Sequence, residues 1–127
     1  MAKVLLIEPD AMLALTYARA LSKIGHEVHA VSTAQAGINA ADDVSPDIVL
    51  LELQLVTHSG LEFLYEFRSY PEWREIPVIV ISHVPPAEFN QSIQMLRDRL
   101  GVKAYYYKPH TSLAMLAKGV DAMTVKL

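Results

Sequence analysis

Five short apolar runs alternate with five stretches of helical period, and this alternation limits what the chain can fold into. The runs are "KVLLI" (Lys3 to Ile7), "EVHAV", "DIVLLE" (strand residues Asp47 to Leu51), "VIVIS" from Val78 and "KAYYY". Three of them, at Lys3–Ile7, Asp47–Leu51 and Val78–Ile81, read as strands buried on both faces. Between and after them lie "AMLALTYARALSKIG", "TAQAGINAADD", "GLEFLYEFRS", "PAEFNQSIQMLRDRLG" and "TSLAMLAKGVDAM". In the first helix Leu13, Tyr17, Leu21 and Ile24 share one face, with Asp10 as N-cap and Gly25 as terminator. The third helix presents Leu61, Leu64 and Phe67. The fourth presents Phe89, Ile93, Leu96 and Leu100, and the last Leu113, Leu116, Val120 and Met123. Strands that alternate with helices predict a doubly wound five-stranded parallel sheet with helices on both faces, an α/β fold of the flavodoxin-like kind.

At 127 residues the chain is sized for a single domain, residues 1–127. Its net charge of −3 argues against non-specific nucleic-acid binding. No apolar run approaches the length of a membrane span, the N-terminus lacks a signal-peptide pattern, and there are no cysteines. These features predict a cytoplasmic protein.

In an open parallel sheet, chemistry collects at the carboxyl ends of the strands. Glu8-Pro9-Asp10 follow the first strand, Glu52 the third, Ser82 and His83 the fourth, and Lys108-Pro109-His110 the fifth. "IEPD", "LLELQLVTHSG", "VIVIS" and "YYYKP" occur in the order found in bacterial two-component response regulators. Over nearly its whole length the chain resembles their receiver domain. That resemblance implies an acidic pair after strand one, a phospho-accepting Asp after strand three, a Ser or Thr after strand four and a Lys after strand five. It also implies a magnesium ion held by carboxylates, and a strand-five aromatic that follows the hydroxyl when phosphate arrives.

The sequence departs from this pattern at its centre. Glu52 stands in place of the phosphoacceptor Asp, one methylene longer. Pro9 replaces the second acid, so the magnesium site loses a ligand and no cofactor is expected. Val56 replaces a proline of the strand-three loop, and Ser59 an acid before Gly60. Ser82, Lys108 and the switch aromatic Tyr105 are retained. The resemblance therefore predicts a pseudo-receiver without catalytic residues: Glu52 reaches toward Lys108 and Ser82 and imitates part of the charge of a phosphorylated Asp. Glu8 and Asp10 complete an acidic pocket on this reading; the plainer alternative makes them a strand-end acid and a helix cap. Likewise Glu52–Lys108 reads either as a mimic or as a structural ion pair, and Ser82 as a switch or a local cap.

Two rival functions are compatible with the same residues. One is a phosphorylatable regulator that uses Glu52 or Asp10 with a divalent metal. The other is a metal- or small-molecule-binding domain that uses His58, His83 and His110 at the same edge. The cobalamin-binding pattern is excluded, because Val56 and the position of Gly60 break its Asp-x-His-x-x-Gly spacing. A protein partner, either a histidine kinase or an effector, is expected to meet the helix 4–strand 5–helix 5 face, which is also a candidate homodimer surface. The segment from Ser82 to Lys108 exceeds the family's usual spacing by roughly one helical turn.

Overall fold

The computed structural model describes residues 1–86 and 90–124, the side chains of 90–92 excepted. Five strands, β1 (Lys3–Ile7), β2 (Glu27–Val31), β3 (Ile48–Leu51), β4 (Val78–Ser82) and β5 (Val102–Tyr107), pair in the order β2-β1-β3-β4-β5. All four pairings are parallel. Helices α1 (Ala11–Lys23), α2 (Ala34–Val44), α3 (Gly60–Ser69), α4 (Asn90–Asp98) and α5 (Leu113–Thr124) cover both faces. The predicted doubly wound sheet is therefore the observed one. Phe89, assigned from sequence to the α4 stripe, lies outside the described residues.

Every residue of β3 and β4 is buried, which explains their unbroken apolar sequence. Alternate side chains enter two separate cores. Leu5, Ile7, Val49, Leu51, Val78 and Val80 pack with Ile38, Phe63, Phe67 and Leu96 beneath α2, α3 and α4. Val4, Leu6, Ile48, Leu50, Ile79 and Ile81 pack with Tyr17, Leu21, Leu116 and Val120 beneath α1 and α5. Each such aliphatic side chain contributes about 1.5–3 kcal/mol by leaving water.

The helical stripes need correction at their ends. Ile24 is the C-cap of α1 and is exposed, because the chain turns there at Gly25, whose φ is +97°. Leu113 and Met123 are also exposed, so the buried face of α5 is narrower than its apolar period. In α3 the buried face includes Phe63, which stacks on Phe67 at 5.2 Å, while Leu61 is only half-buried. The segment "YPEWREIP", read as loop, contains a short 3-10 turn at Pro71–Trp73 that sets the Trp73 ring 5.0 Å from Phe67.

The amino edge of the sheet is bolted by polar groups. Arg68 donates to the carbonyls of Leu100 (2.8 Å), Trp73 (2.7 Å), Arg74 (3.2 Å) and Gly101 (3.3 Å). It thereby ties α3 to the turn that ends α4. His26 is buried; its Nδ1 accepts from the Ala2 N–H at 3.1 Å and its Nε2 lies 2.7 Å from Asp121 of α5. These bolts leave the carboxyl edge for the polar cluster described next.

Candidate functional site

Two of the residues selected from sequence, Glu8 and Glu52, meet Lys108 at the carboxyl edge, and Ser82 joins them through Glu52. Glu8 continues β1, its N–H donating to Val31 at 2.9 Å, and Glu52 continues β3, its N–H donating to Ile7 at 3.0 Å. Register across β1 and β3 thus holds both carboxylates above the sheet. Lys108 opens a 3-10 turn, Lys108–His110, that begins where β5 ends. Its Nζ lies 2.6 Å from Glu8 Oε1 and 2.7 Å from Glu52 Oε1, and the three side chains are only 5%, 1% and 2% exposed. Ser82, the last residue of β4, donates from its Oγ to Glu52 Oε2 and accepts from the Val84 N–H at 3.1 Å.

Glu52 receives four donors. Oε1 accepts from Lys108 Nζ and the His83 N–H at 3.2 Å; Oε2 accepts from Ser82 and the Gln54 N–H at 3.1 Å. Burial alone would raise its pKa. The hydrogen bonds from Lys108, Ser82 and Gln54 outweigh that and hold the carboxyl below its ordinary range. Burial pulls the Lys108 ammonium down, but Glu52 and Glu8 outweigh it and hold the group above its usual value. The Glu52 backbone is fixed as well. A Cβ on Gly60 would lie 2.7 Å from Leu53 Cα and 2.9 Å from the Glu52 carbonyl, so only glycine fits at the head of α3.

The β4–α4 loop links this centre to β5. Tyr105 Oη donates to the Val84 carbonyl at 2.6 Å, and Ser82 holds the same residue's N–H. Tyr105 packs against the core beneath α3 and α4, whereas Tyr106 packs on the α1–α5 side, as strand alternation predicts.

Asp10 does not join the cluster. Its side chain is exposed, and Oδ1 caps α1 through the N–H groups of Met12 (2.9 Å) and Leu13 (3.1 Å). Its own N–H donates to Glu8 Oε2 at 3.0 Å. The histidines stay apart. His58 pairs with Glu62 at 2.7 Å, His110 meets the Tyr107 ring edge-on, and exposed His83 contributes only its backbone. Among the described residues no group of three His, Asp or Glu side chains is placed to hold a metal ion. The magnesium ion implied by the receiver resemblance does not fit this donor set. Pro9 offers no side-chain oxygen, both Glu52 oxygens are taken by four donors, and Glu8 accepts from the Asp10 N–H on Oε2 while its Oε1, without a hydrogen bond, is held by the ion pair to Lys108.

Sequence reasoning missed Tyr17 as a neighbour of this centre. Its ring is in the core, yet its hydroxyl feels Lys108, Glu8, Glu52 and Asp10; burial, opposed by Lys108, raises its pKa. The signal was a tyrosine, rather than an aliphatic residue, in the inward stripe of α1. The backbone donors of Gln54 and His83 left no signal, since any residue supplies an N–H.

A parallel α/β sheet with a Glu–Lys–Ser centre at the carboxyl end of its middle strands defines the class. Comparison with known proteins gives the family: the chain matches the response regulator receiver domain over residues 4–118, and it belongs to that family. It is 30% identical over 109 residues to the KDP operon transcriptional regulatory protein KdpE of Escherichia coli, covering 86% of this chain and 45% of that protein. It is 28% identical over 123 residues to hybrid signal transduction histidine kinase D of Dictyostelium discoideum, covering 97% of this chain and 8% of that one. The chain thus spans less than half the length of either relative. Among solved structures, a sensor protein from Polaromonas sp. JS666 superposes with a TM-score of 0.87 at 17% identity, covering 98% of this chain and 96% of that one. The chemotaxis protein CheY4 of Vibrio cholerae gives 0.85 at 19% identity, covering 97% and 98%. The structural likeness is one of fold. The protein is a receiver domain of two-component signalling, and no described helix is long and apolar enough to cross a membrane.

Proposed function

We propose that this receiver is a protein-interaction module whose switch is set by Glu52 rather than by phosphoryl transfer. The observation that carries the reading is the fourfold hydrogen bonding of the Glu52 carboxylate. Attack on a phosphorus atom needs a free lone pair and close alignment. Each Glu52 oxygen already has two donors, and no metal ligand at residue 9 offsets the charge of an incoming phosphoryl group. The same carboxylate draws Ser82 inward, and Ser82 and Tyr105 meet at Val84. This supports a switch held with hydroxyl and aromatic both engaged, the arrangement expected of a receiver that has received its phosphate. The partner, a histidine kinase or an effector, would read the face formed by α4, β5 and α5. The described exposed residues there include Gln94, Arg97, Arg99, Lys103 and Lys118, with Met115 and Met123 exposed on α5, a mixed surface suited to a reversible protein contact. The domain would work in the cytoplasm and catalyse nothing itself.

Intact mass after incubation with phosphoramidate and magnesium tests this, with a conventional receiver as control. The expected result is no phosphoryl adduct while the control is modified. A magnesium-dependent adduct on Glu52 or Asp10 would overturn the proposal and make the protein a phosphorylation switch with unusual acids.

A further inference from the structure

The outer side of α1 supplies none of the four donors to Glu52, yet it is apolar in a way that solvent does not explain. Residues 11–23 contain no Asp or Glu, and the polar side chains are only Thr16, Arg19, Ser22 and Lys23, apart from the Tyr17 hydroxyl. A helix that is apolar around most of its circumference is normally covered. Here Tyr17 and Leu21 are buried, and Leu13 and Ala14 beside them are partly buried. Met12 is left 73% exposed, Leu15 45% and Ile24 47%, with Leu113 of α5 at 42%. Beside this crest runs a groove of about 460 Å³ between α1 and α5. Small side chains, Ala20, Ala114 and Ala117, line it, Ile24 and Leu113 add bulk, and Arg19 and Lys23 stand along the α1 side.

We infer that a second copy of this chain covers the face, with the two α1 helices antiparallel about a twofold axis near Thr16. Charge selects the occupant. The thirteen residues of α1 span about 20 Å, with Asp10 at one end and Lys23 at the other, both exposed. Antiparallel apposition brings Asp10 of each copy to Lys23 of the other and opposes the two helix dipoles favourably. Asp10 keeps this capacity while capping its helix, because both cap bonds use Oδ1 and leave Oδ2 available. The same register sets Met12 of one copy beside Ala20 of the other, a large side chain against the small-residue wall of the groove. Such a contact is isologous and closes on itself. It uses the side of α5 that carries Leu113, Ala114 and Ala117, leaves α4 and β5 open, and stands independently of the Glu52 reading.

Sedimentation velocity over a hundredfold concentration range tests the inference. The expected result is a reversible monomer–dimer equilibrium that Leu15→Glu abolishes. Lys23→Glu should raise the dimer Kd at least tenfold, and adding Asp10→Lys to it should restore association; thermal melts confirm that each variant is folded. The absence of cysteine gives a second reading. Thr16→Cys, on the axis, should form a disulfide-linked dimer under mild oxidation, and Lys103→Cys on β5 should not. A monomer at every concentration would overturn the inference. So would a dimer indifferent to Leu15→Glu, or crosslinking at residue 103 but not at 16; if Met12 and Leu15 then proved to be needed for a different bound protein, that protein would be the occupant.

Discussion

Replacing Lys108 with methionine removes the one cation between two buried carboxylates and keeps most of the side-chain volume. Lys108 Nζ lies 2.6 Å from Glu8 and 2.7 Å from Glu52, and all three side chains are at most 5% exposed. At an effective dielectric constant of about 20, each contact is an attraction of about 6 kcal/mol. Desolvation of the ions offsets much of this, at several kcal/mol per ion, so the intact cluster adds little net stability. The asymmetry appears on removal. Glu8 and Glu52 then remain buried without their cation, and the expected loss is about 3–5 kcal/mol. For a domain of this size that is a fall in Tm of about 10–20 °C. Urea unfolding at pH 7 measures the free energy and a thermal melt the Tm, both followed by circular dichroism. Adding Glu52→Gln to Lys108→Met should recover part of the loss, since one stranded charge becomes neutral. A Tm for Lys108→Met within about 3 °C of the parent would refute the reasoning and show that water reaches the carboxylates.

The pH dependence follows from the directions of the two shifts. Glu52 is held below its ordinary 4.5, so its contribution is present above that value and is lost as pH falls through the lowered one. Lys108 is held above its ordinary 10.5, so its contribution is present below that value and is lost as pH rises through the raised one. Chemical unfolding between pH 2 and 7 should therefore show an acid limb that is shallower in Glu52→Gln than in the parent. Arg68→Lys should cost about 2–3 kcal/mol in urea unfolding, because an ammonium cannot reach four carbonyls spread over two turns; an unchanged midpoint would count against the bolt. Gly60→Ala should cost about 1–3 kcal/mol, since its methyl meets Leu53 and the Glu52 carbonyl. Glu52→Asp alone should remain unmodified by phosphoramidate, whereas Glu52→Asp with Pro9→Asp should gain a magnesium-dependent adduct by intact mass.

The parallel sheet, its fully buried strands and the meeting of Glu8, Glu52, Ser82 and Lys108 at its carboxyl edge were legible in the sequence for one reason. Buried parallel strands are continuous apolar runs, and the polar residue that ends each run must rise at the same edge. Asp10 stands close to Glu8 in sequence, but side chains two residues apart at a strand-to-helix turn take different directions. Only the cap geometry decides which of them enters the pocket. The three histidines looked alike on paper, and each found a different local contact. Arg68 and His26 carried no pattern, since their partners are backbone groups and a residue 95 positions away. The ends of the stripes failed at Ile24, Leu113 and Met123, because periodicity marks which side chains are apolar without fixing where a neighbouring helix stops covering them.

The four donors on Glu52 also bear on time. An aspartyl phosphate decays, and its lifetime sets how long an ordinary receiver stays in its signalling state. A glutamate side chain has no such lifetime. Under the proposed function the charge is written into the polypeptide, so that the duration of the signal would be the duration of the molecule, and its strength copy number. Control would then rest with whatever governs synthesis and degradation of this chain, upstream and downstream of any chemistry at its carboxyl edge.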